Sequence, residues 1–189
     1  MSRIIAGVAG GTALSSVPGN RTRPTTDRVK EALFSRLESL EMLAGKRALD
    51  LYAGSGALGI EASSRGAVSV DLVEADAKAA AVCQRNAAAI NDVLGHAVVT
   101  VHRAKVETFL QRAEGTGWRW DVVFLDPPYP LDDDALAEVL ARLGEHLEEA
   151  AVVVVERSSR SAEPRWPGSM ERFAEKKYGE TRLWFAEPA

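Results

Sequence analysis

At 189 residues, the chain has room for one domain with a sizeable core, and its 46% hydrophobic and 26% charged composition is that of a globular protein. The longest purely apolar run, Ala150 to Val155, is too short to cross a bilayer, and a single cysteine, Cys83, excludes an intrachain disulfide or a cysteine-based zinc site. Net charge is −4, but residues 1–36 carry six basic side chains against two acidic ones, a local +4 that leaves −8 on the remainder.

That basic segment contains Arg3, Arg21, Arg23, Arg28, Lys30 and Arg36. A cationic arm on an acidic body can attract phosphates locally; a solvated helix face would carry the same charges. His96, His102 and His146 have no metal-ligand spacing, so no metal is expected. The opening Met1-Ser2-Arg3-Ile4-Ile5 lacks the apolar stretch of a signal peptide, and a cytoplasmic location is expected.

Gly7, Gly10, Gly11, Pro18 and Gly19 break the first twenty residues into short apolar pieces, which predicts a small hairpin or extended arm. Arg23-Pro24-Thr25-Thr26-Asp27 reads as a helix start, with Thr26 or Asp27 as cap. Val29, Leu33, Leu37 and Leu40 follow at helical spacing, with Phe34 widening the stripe. From residue 46 the pattern alternates. Strands are expected at Arg47–Leu51, Val68–Glu74, Val98–His102, Asp121–Leu125 and Ala151–Glu156. Helices are expected at Ala57–Arg65, Ala77–Ile90, Lys105–Arg112 and Asp133–Leu143. Repeated βα units imply a parallel sheet covered on both faces. Met170–Tyr178 and Thr181–Phe185, split by Gly179-Glu180, read as an antiparallel hairpin that closes it.

The loop Asp50-Leu51-Tyr52-Ala53-Gly54-Ser55-Gly56-Ala57-Leu58-Gly59 joins the first of these strands to its helix, where open α/β sheets bind ligands. Glu74, at the end of the next strand, can accept hydrogen bonds from both hydroxyls of a ribose. The same glycines with an acid about twenty residues on also satisfy the dinucleotide fingerprint, so an NAD enzyme is a rival. Asp50 favours S-adenosylmethionine: an acid there suits a cationic amino group and repels a pyrophosphate.

Asp126-Pro127-Pro128-Tyr129 follows directly after a strand. Two prolines stiffen the turn and remove two donors. An exocyclic base amine has two hydrogens, one for an Asp126 oxygen and one for the Pro127 carbonyl. Held so, its lone pair aims at a methyl donor, and positioning with electrostatics carries the catalysis. Tyr129 offers a stacking face worth about 1–3 kcal/mol per base. No strong base is needed, because the nitrogen turns acidic only once methylated. Cys83, among alanines, reads as a small core residue.

These motifs together resemble the RsmD-type 16S ribosomal RNA guanine-N2 methyltransferases of bacteria. The resemblance rests on Arg3-Ile4-Ile5-Ala6-Gly7, on Arg23 through Glu31, on the glycine loop, on Val73-Glu74 and on Asp126 through Tyr129. The glycine loop and the tetrapeptide are shared with many amino-methyltransferases; the Arg23-Pro24-Thr25-Thr26-Asp27-Arg28 block is more specific. The resemblance implies a Rossmann-like α/β fold with a seven-stranded, mostly parallel sheet. It divides the chain into an arm with leading helix, 1–40, and a methyltransferase domain, 41–189.

It also implies S-adenosylmethionine as cofactor, and as partner 16S rRNA within an assembled or partly assembled small subunit, met by a monomer. Asp50, Tyr52, Ala53, Gly54, Ser55, Gly56, Glu74, Ala75 and Asp126 would hold the cofactor. Arg3, Arg21, Arg23, Thr25, Arg28 and Tyr129 would contact RNA. Where the family often has Asn or Asp, this chain has Arg103-Ala104-Lys105, so the adenine contact is expected from backbone N–H groups of Ala104, Lys105 and Val106. Two other functions fit parts of the pattern: a DNA adenine-N6 methyltransferase, from the shared tetrapeptide, and a non-catalytic RNA-binding module, from the basic arm.

Overall fold

In a computed structural model, which describes residues 2–19, 25–128 and 130–189, the alternating region forms one sheet. Its strands are β3 (Arg47–Leu51), β4 (Ser69–Glu74), β5 (Val99–Arg103), β6 (Trp120–Leu125), β7 (Leu147–Ser158), β8 (Met170–Tyr178) and β9 (Thr181–Pro188), after a two-stranded hairpin of β1 (Ser2–Arg3) and β2 (Ala13–Leu14). Across the sheet the order is β5-β4-β3-β6-β7-β9-β8. The first five strands in that order are parallel, whereas β9 is antiparallel to both β7 and β8. The order reverses between β3 and β6, and it is at the carboxyl ends of such strands that open α/β sheets bind ligands.

Both faces are covered. Along β6, Val122 and Phe124 join a core with Phe34, Leu72 and Phe185, while Val123 and Leu125 join another with Phe109, Leu140 and Trp184. That is the two-residue period of a strand buried on both sides. The helices are α1 (Asp27–Ser39), α2 (Ala57–Ser64), α3 (Ala77–Leu94), α4 (Val106–Ala113) and α5 (Asp133–Leu143). Thr26 caps α1 by accepting the Val29 N–H, as its sequence foretells. Leu40 departs from the expected stripe: it ends α1 and is 41% exposed. Helix α3 runs four residues past Ile90 and stops at Gly95, whose φ of 80° is a left-handed cap that glycine adopts without strain.

The hairpin is pressed onto α2. Ile4 and Leu14 are buried, and Val8 donates to Ser64 O at 2.8 Å. At Gly7 a Cβ would lie 2.0 Å from that same carbonyl, so only glycine permits the approach. Docking corrects one expectation about the basic segment. Lys30 is 1% exposed and donates to Arg3 O at 2.9 Å, so its charge supports the hairpin and does not face an outside phosphate. No described helix is long and apolar enough to cross a membrane.

Candidate active site

A cavity of about 650 Å³ opens at the carboxyl ends of β3, β4 and β6, within the size range of small-molecule sites. The structure brings most of the expected residues to it. Asp50, Tyr52, Ala53, Gly54 and Ser55 supply one wall, and Glu74 and Ala75 the next. Lys105, Val106, Asp126, Pro128 and Thr25 complete the lining among these residues.

The glycine loop is shaped by tertiary contacts. Gly56 has φ 85°, and a Cβ on it would meet Leu72 Cδ1 at 2.8 Å, so it sits behind the wall as the pivot into α2. At Gly54 nothing lies within 4 Å of an added Cβ: the backbone faces open cavity. Asp50 Oδ2 accepts the Gly59 N–H at 2.9 Å, tying the strand to the first turn of α2. Asp50 is 2% exposed, and burial pushes its carboxyl up to about 8, offset in part by the Gly59 bond. Tyr52 adopts φ 60°, and its buried hydroxyl has no hydrogen-bond partner among the described residues.

Glu74 is held on both oxygens, Oε1 by Gly54 N–H at 2.7 Å and Oε2 by Asp76 N–H at 2.9 Å. Each oxygen has accepted one bond and has capacity for another, and Glu74 lines the cavity, which suits a vicinal diol. One backbone expectation is corrected: the Ala104 N–H donates to Glu74 O at 3.2 Å and is spent within the sheet's edge. Lys105 begins α4 without a side-chain cap, so the first-turn N–H groups beside Val106 remain for a ligand.

Asp126 lies one residue beyond β6, partly open to the cavity. Pro127 is buried, and the Pro128 carbonyl is already taken by the Leu131 N–H at 2.9 Å. Arg157 Nη2 steadies the following segment through Leu131 O at 3.2 Å. Burial holds Asp126 well above the usual carboxylate range, reinforced by the neighbouring acids Glu156 and Asp50. Tyr129, Arg21 and Arg23 lie outside the described residues. Arg3 and Arg28 are exposed away from the cavity wall, Arg3 in an ion pair with Asp27 at 3.3 Å. Thr25 is turned inward and donates to Glu156 Oε2 at 3.0 Å. Cys83 is buried, and desolvation pushes its thiol up, as befits a core residue.

Sequence reading missed three contributors. Ser16, Val17 and Pro18, after the hairpin, wall the cavity from above. Asn86, from the alanine-rich α3, accepts the Ser15 N–H at 2.9 Å and donates to Ser55 O at 2.9 Å, joining arm to glycine loop. Glu156 is the third; an acid ending an apolar strand beside β6 was its only trace.

The family model described as Conserved hypothetical protein 95 matches residues 2–187. Ribosomal RNA small subunit methyltransferase D of Escherichia coli (strain K12) is 33% identical over 180 residues, 94% of this chain and 85% of that protein. The chain belongs to the RsmD-type family. YlbH of Bacillus subtilis (strain 168), another relative, is 36% identical over 181 residues, 95% of each chain. A solved structure from Thermus thermophilus superposes with TM-score 0.80 at 32% identity, covering 98% of both chains. The protein SMU.776, solved with SAH, shares the fold at 13% identity and TM-score 0.67, over 82% of this chain and 48% of that one. The antiparallel β9 inserted beside β7 sets this RsmD-type sheet apart from the dinucleotide-binding order, in which a sixth strand simply follows the fifth.

Proposed function

We propose that this RsmD-type protein transfers a methyl group from S-adenosylmethionine to the exocyclic N2 amine of a guanine in small-subunit ribosomal RNA. One observation carries the reading: Asp126 opens onto the same cavity as Gly54 and Glu74, so one nucleobase reaches the acid while a cofactor lies along the glycine loop.

The cavity's chemistry fits that cofactor. Its size, the open face at Gly54 and the doubly anchored Glu74 carboxylate suit a nucleoside. Asp50, with one oxygen committed to Gly59, has the other for an amino cation. Bound there, S-adenosylmethionine supplies an electrophilic methyl. The chain's own task is to exclude water, orient the amine through Asp126 and the Pro127 carbonyl, and stack the flipped base on Tyr129. Residues 1–40 act as the RNA-facing element, with Arg3, Arg21, Arg23 and Arg28 toward phosphates.

The test is nucleoside mass spectrometry of small-subunit rRNA after incubation with labelled S-adenosylmethionine. N2-methylguanosine is the expected product. Label on adenine N6 in DNA and none in rRNA would replace the reading with its DNA alternative.

A further inference from the structure

Asp126 has a neighbour that the amine-gripping account leaves without a task. Parallel pairing of β6 and β7 sets Leu125 opposite Val155, so one step further Asp126 and Glu156 stand side by side on one face of the sheet. Their carboxyls are near enough to act directly on one another's protonation. Glu156 Oε2 also accepts the Thr25 hydroxyl at 3.0 Å, and Thr25 forms part of the cavity wall beside Asp126.

Among the described residues, Asp50 approaches Asp126 from β3, and the cation acting on it is Arg157 of β7, its guanidinium turned toward Leu131 O and Asp133. Two acids this close and half-withdrawn from solvent resist ionising together, so the pair in the free protein retains one proton. Burial raises both groups. The Thr25 hydroxyl, donating to Glu156, stabilises an anion there and so favours the shared proton on Asp126.

We propose that Glu156 is a positioning residue that turns Asp126 toward the substrate amine and receives, through Asp126, the proton which the amine gives up on methylation. This deepens the reading of the site as an amino-methyltransferase and rests on it. The carbonyl oxygen of Asp126 accepts one amine hydrogen while its O–H points at Glu156. Once methylated, the nitrogen is cationic. Its N–H bond breaks as an O–H bond forms on the Asp126 oxygen that held it. The original Asp126 O–H breaks as an O–H bond forms on Glu156. One proton has then moved from a cation to an anion, leaving a neutral product, a neutral Asp126 and a protonated Glu156 that discharges to water when the product leaves. The Thr25 hydroxyl fixes the accepting carboxylate and ties it to the segment leading into α1.

The proposal is tested on the full chain with small-subunit rRNA, comparing wild type, Glu156→Gln and Thr25→Val from acid to alkaline pH. Wild-type kcat falls at acid pH as Glu156 takes up a proton. Glu156→Gln keeps the shape but no longer orients Asp126, which must itself take the proton: kcat drops up to about 100-fold with KM unchanged, the scale of a misplaced reacting group. Its acid limb also moves to lower pH, because Asp126 loses the neighbouring charge. Thr25→Val moves the limb the other way, since the lost hydrogen bond favoured the Glu156 anion.

A second readout needs no turnover. The infrared band of protonated carboxyls in the free wild-type protein at neutral pH loses intensity in Glu156→Gln, and the melting temperature shows whether that variant folds. A Glu156→Gln protein with wild-type kcat, or with lowered kcat but an unshifted pH profile and an unchanged carboxyl band, overturns the proposal. Wild type that leaves rRNA guanine unmethylated sinks the functional reading instead, while the infrared comparison still decides whether the pair shares a proton.

Discussion

Two regions of this protein bury carboxylates, and they do so on opposite terms. Under the hairpin, Glu61 is fully buried and accepts from Ile5 N at 2.8 Å, Ala6 N at 3.1 Å and Arg65 Nε at 2.9 Å. Arg65, 3% exposed, spends its remaining nitrogens on Glu38 and Glu31 and lies over the Phe34 ring. Every acceptor there meets a donor, and the cluster fastens the arm to α2. At the cavity, Asp50, Asp126 and Glu156 share far less: the Gly59 N–H and the Thr25 hydroxyl. Burial raises all three. Withdrawing an acid from water therefore means structure in one place and readiness in the other. A site short of donors is completed by a ligand that brings them, here an amino cation and an amine.

The comparison breaks most easily at Glu61. Glu61→Leu leaves Arg65 and two backbone N–H groups without their acceptor, and we expect a loss of about 3–5 kcal/mol in chemical denaturation, the scale of half a buried ion pair. A loss below that of an ordinary surface change would remove the hairpin's anchor from the account. Asn86→Ala cuts the link between arm and glycine loop; the expected cost is about 1–3 kcal/mol, with weaker S-adenosylhomocysteine binding by calorimetry. Unaltered affinity would show that the arm does not brace the loop.

Asp50→Asn sharpens the other side. The folded state keeps the Asp50 proton up to about 8, whereas an unfolded chain releases it near the ordinary value of 3.8. The native state thus binds more protons between those values, and this contribution to stability is lost as pH rises. Wild type should lose up to about 1.4 kcal/mol per pH unit relative to Asp50→Asn in that window. Parallel stability curves for the two proteins would contradict this. The smallest effect belongs to Arg3→Ala. Its exposed pair with Asp27 contributes about 0.5 kcal/mol or less to stability, while the salt dependence of RNA binding should lose about one unit of slope. An unchanged slope would take Arg3 out of the RNA contact.

Much of this was legible in the chain. Strand and helix alternation, the Thr26 cap and the hairpin at Gly179-Glu180 follow from period and turn chemistry. The glycine loop, Glu74 and Asp126 were legible because each is fixed by its own strand end. What escaped depends on pairing between segments distant in sequence. Lys30 reads as a surface cation until the hairpin covers it, and Asn86 reads as one polar residue among alanines until Ser15 and Ser55 meet it. Glu156 becomes meaningful only once the β6–β7 register is known. The αL stop at Gly95 was in the sequence, but the apolar spacing that ended at Ile90 concealed it.

The direct test of the central claim is Asp126→Ala, assayed for S-adenosylmethionine binding by calorimetry and for methyl transfer to small-subunit rRNA. We predict cofactor affinity altered far less than turnover, stability no lower than wild type, and turnover reduced about 100-fold or more. Turnover near wild type would contradict the assignment of Asp126 as the residue that holds the amine.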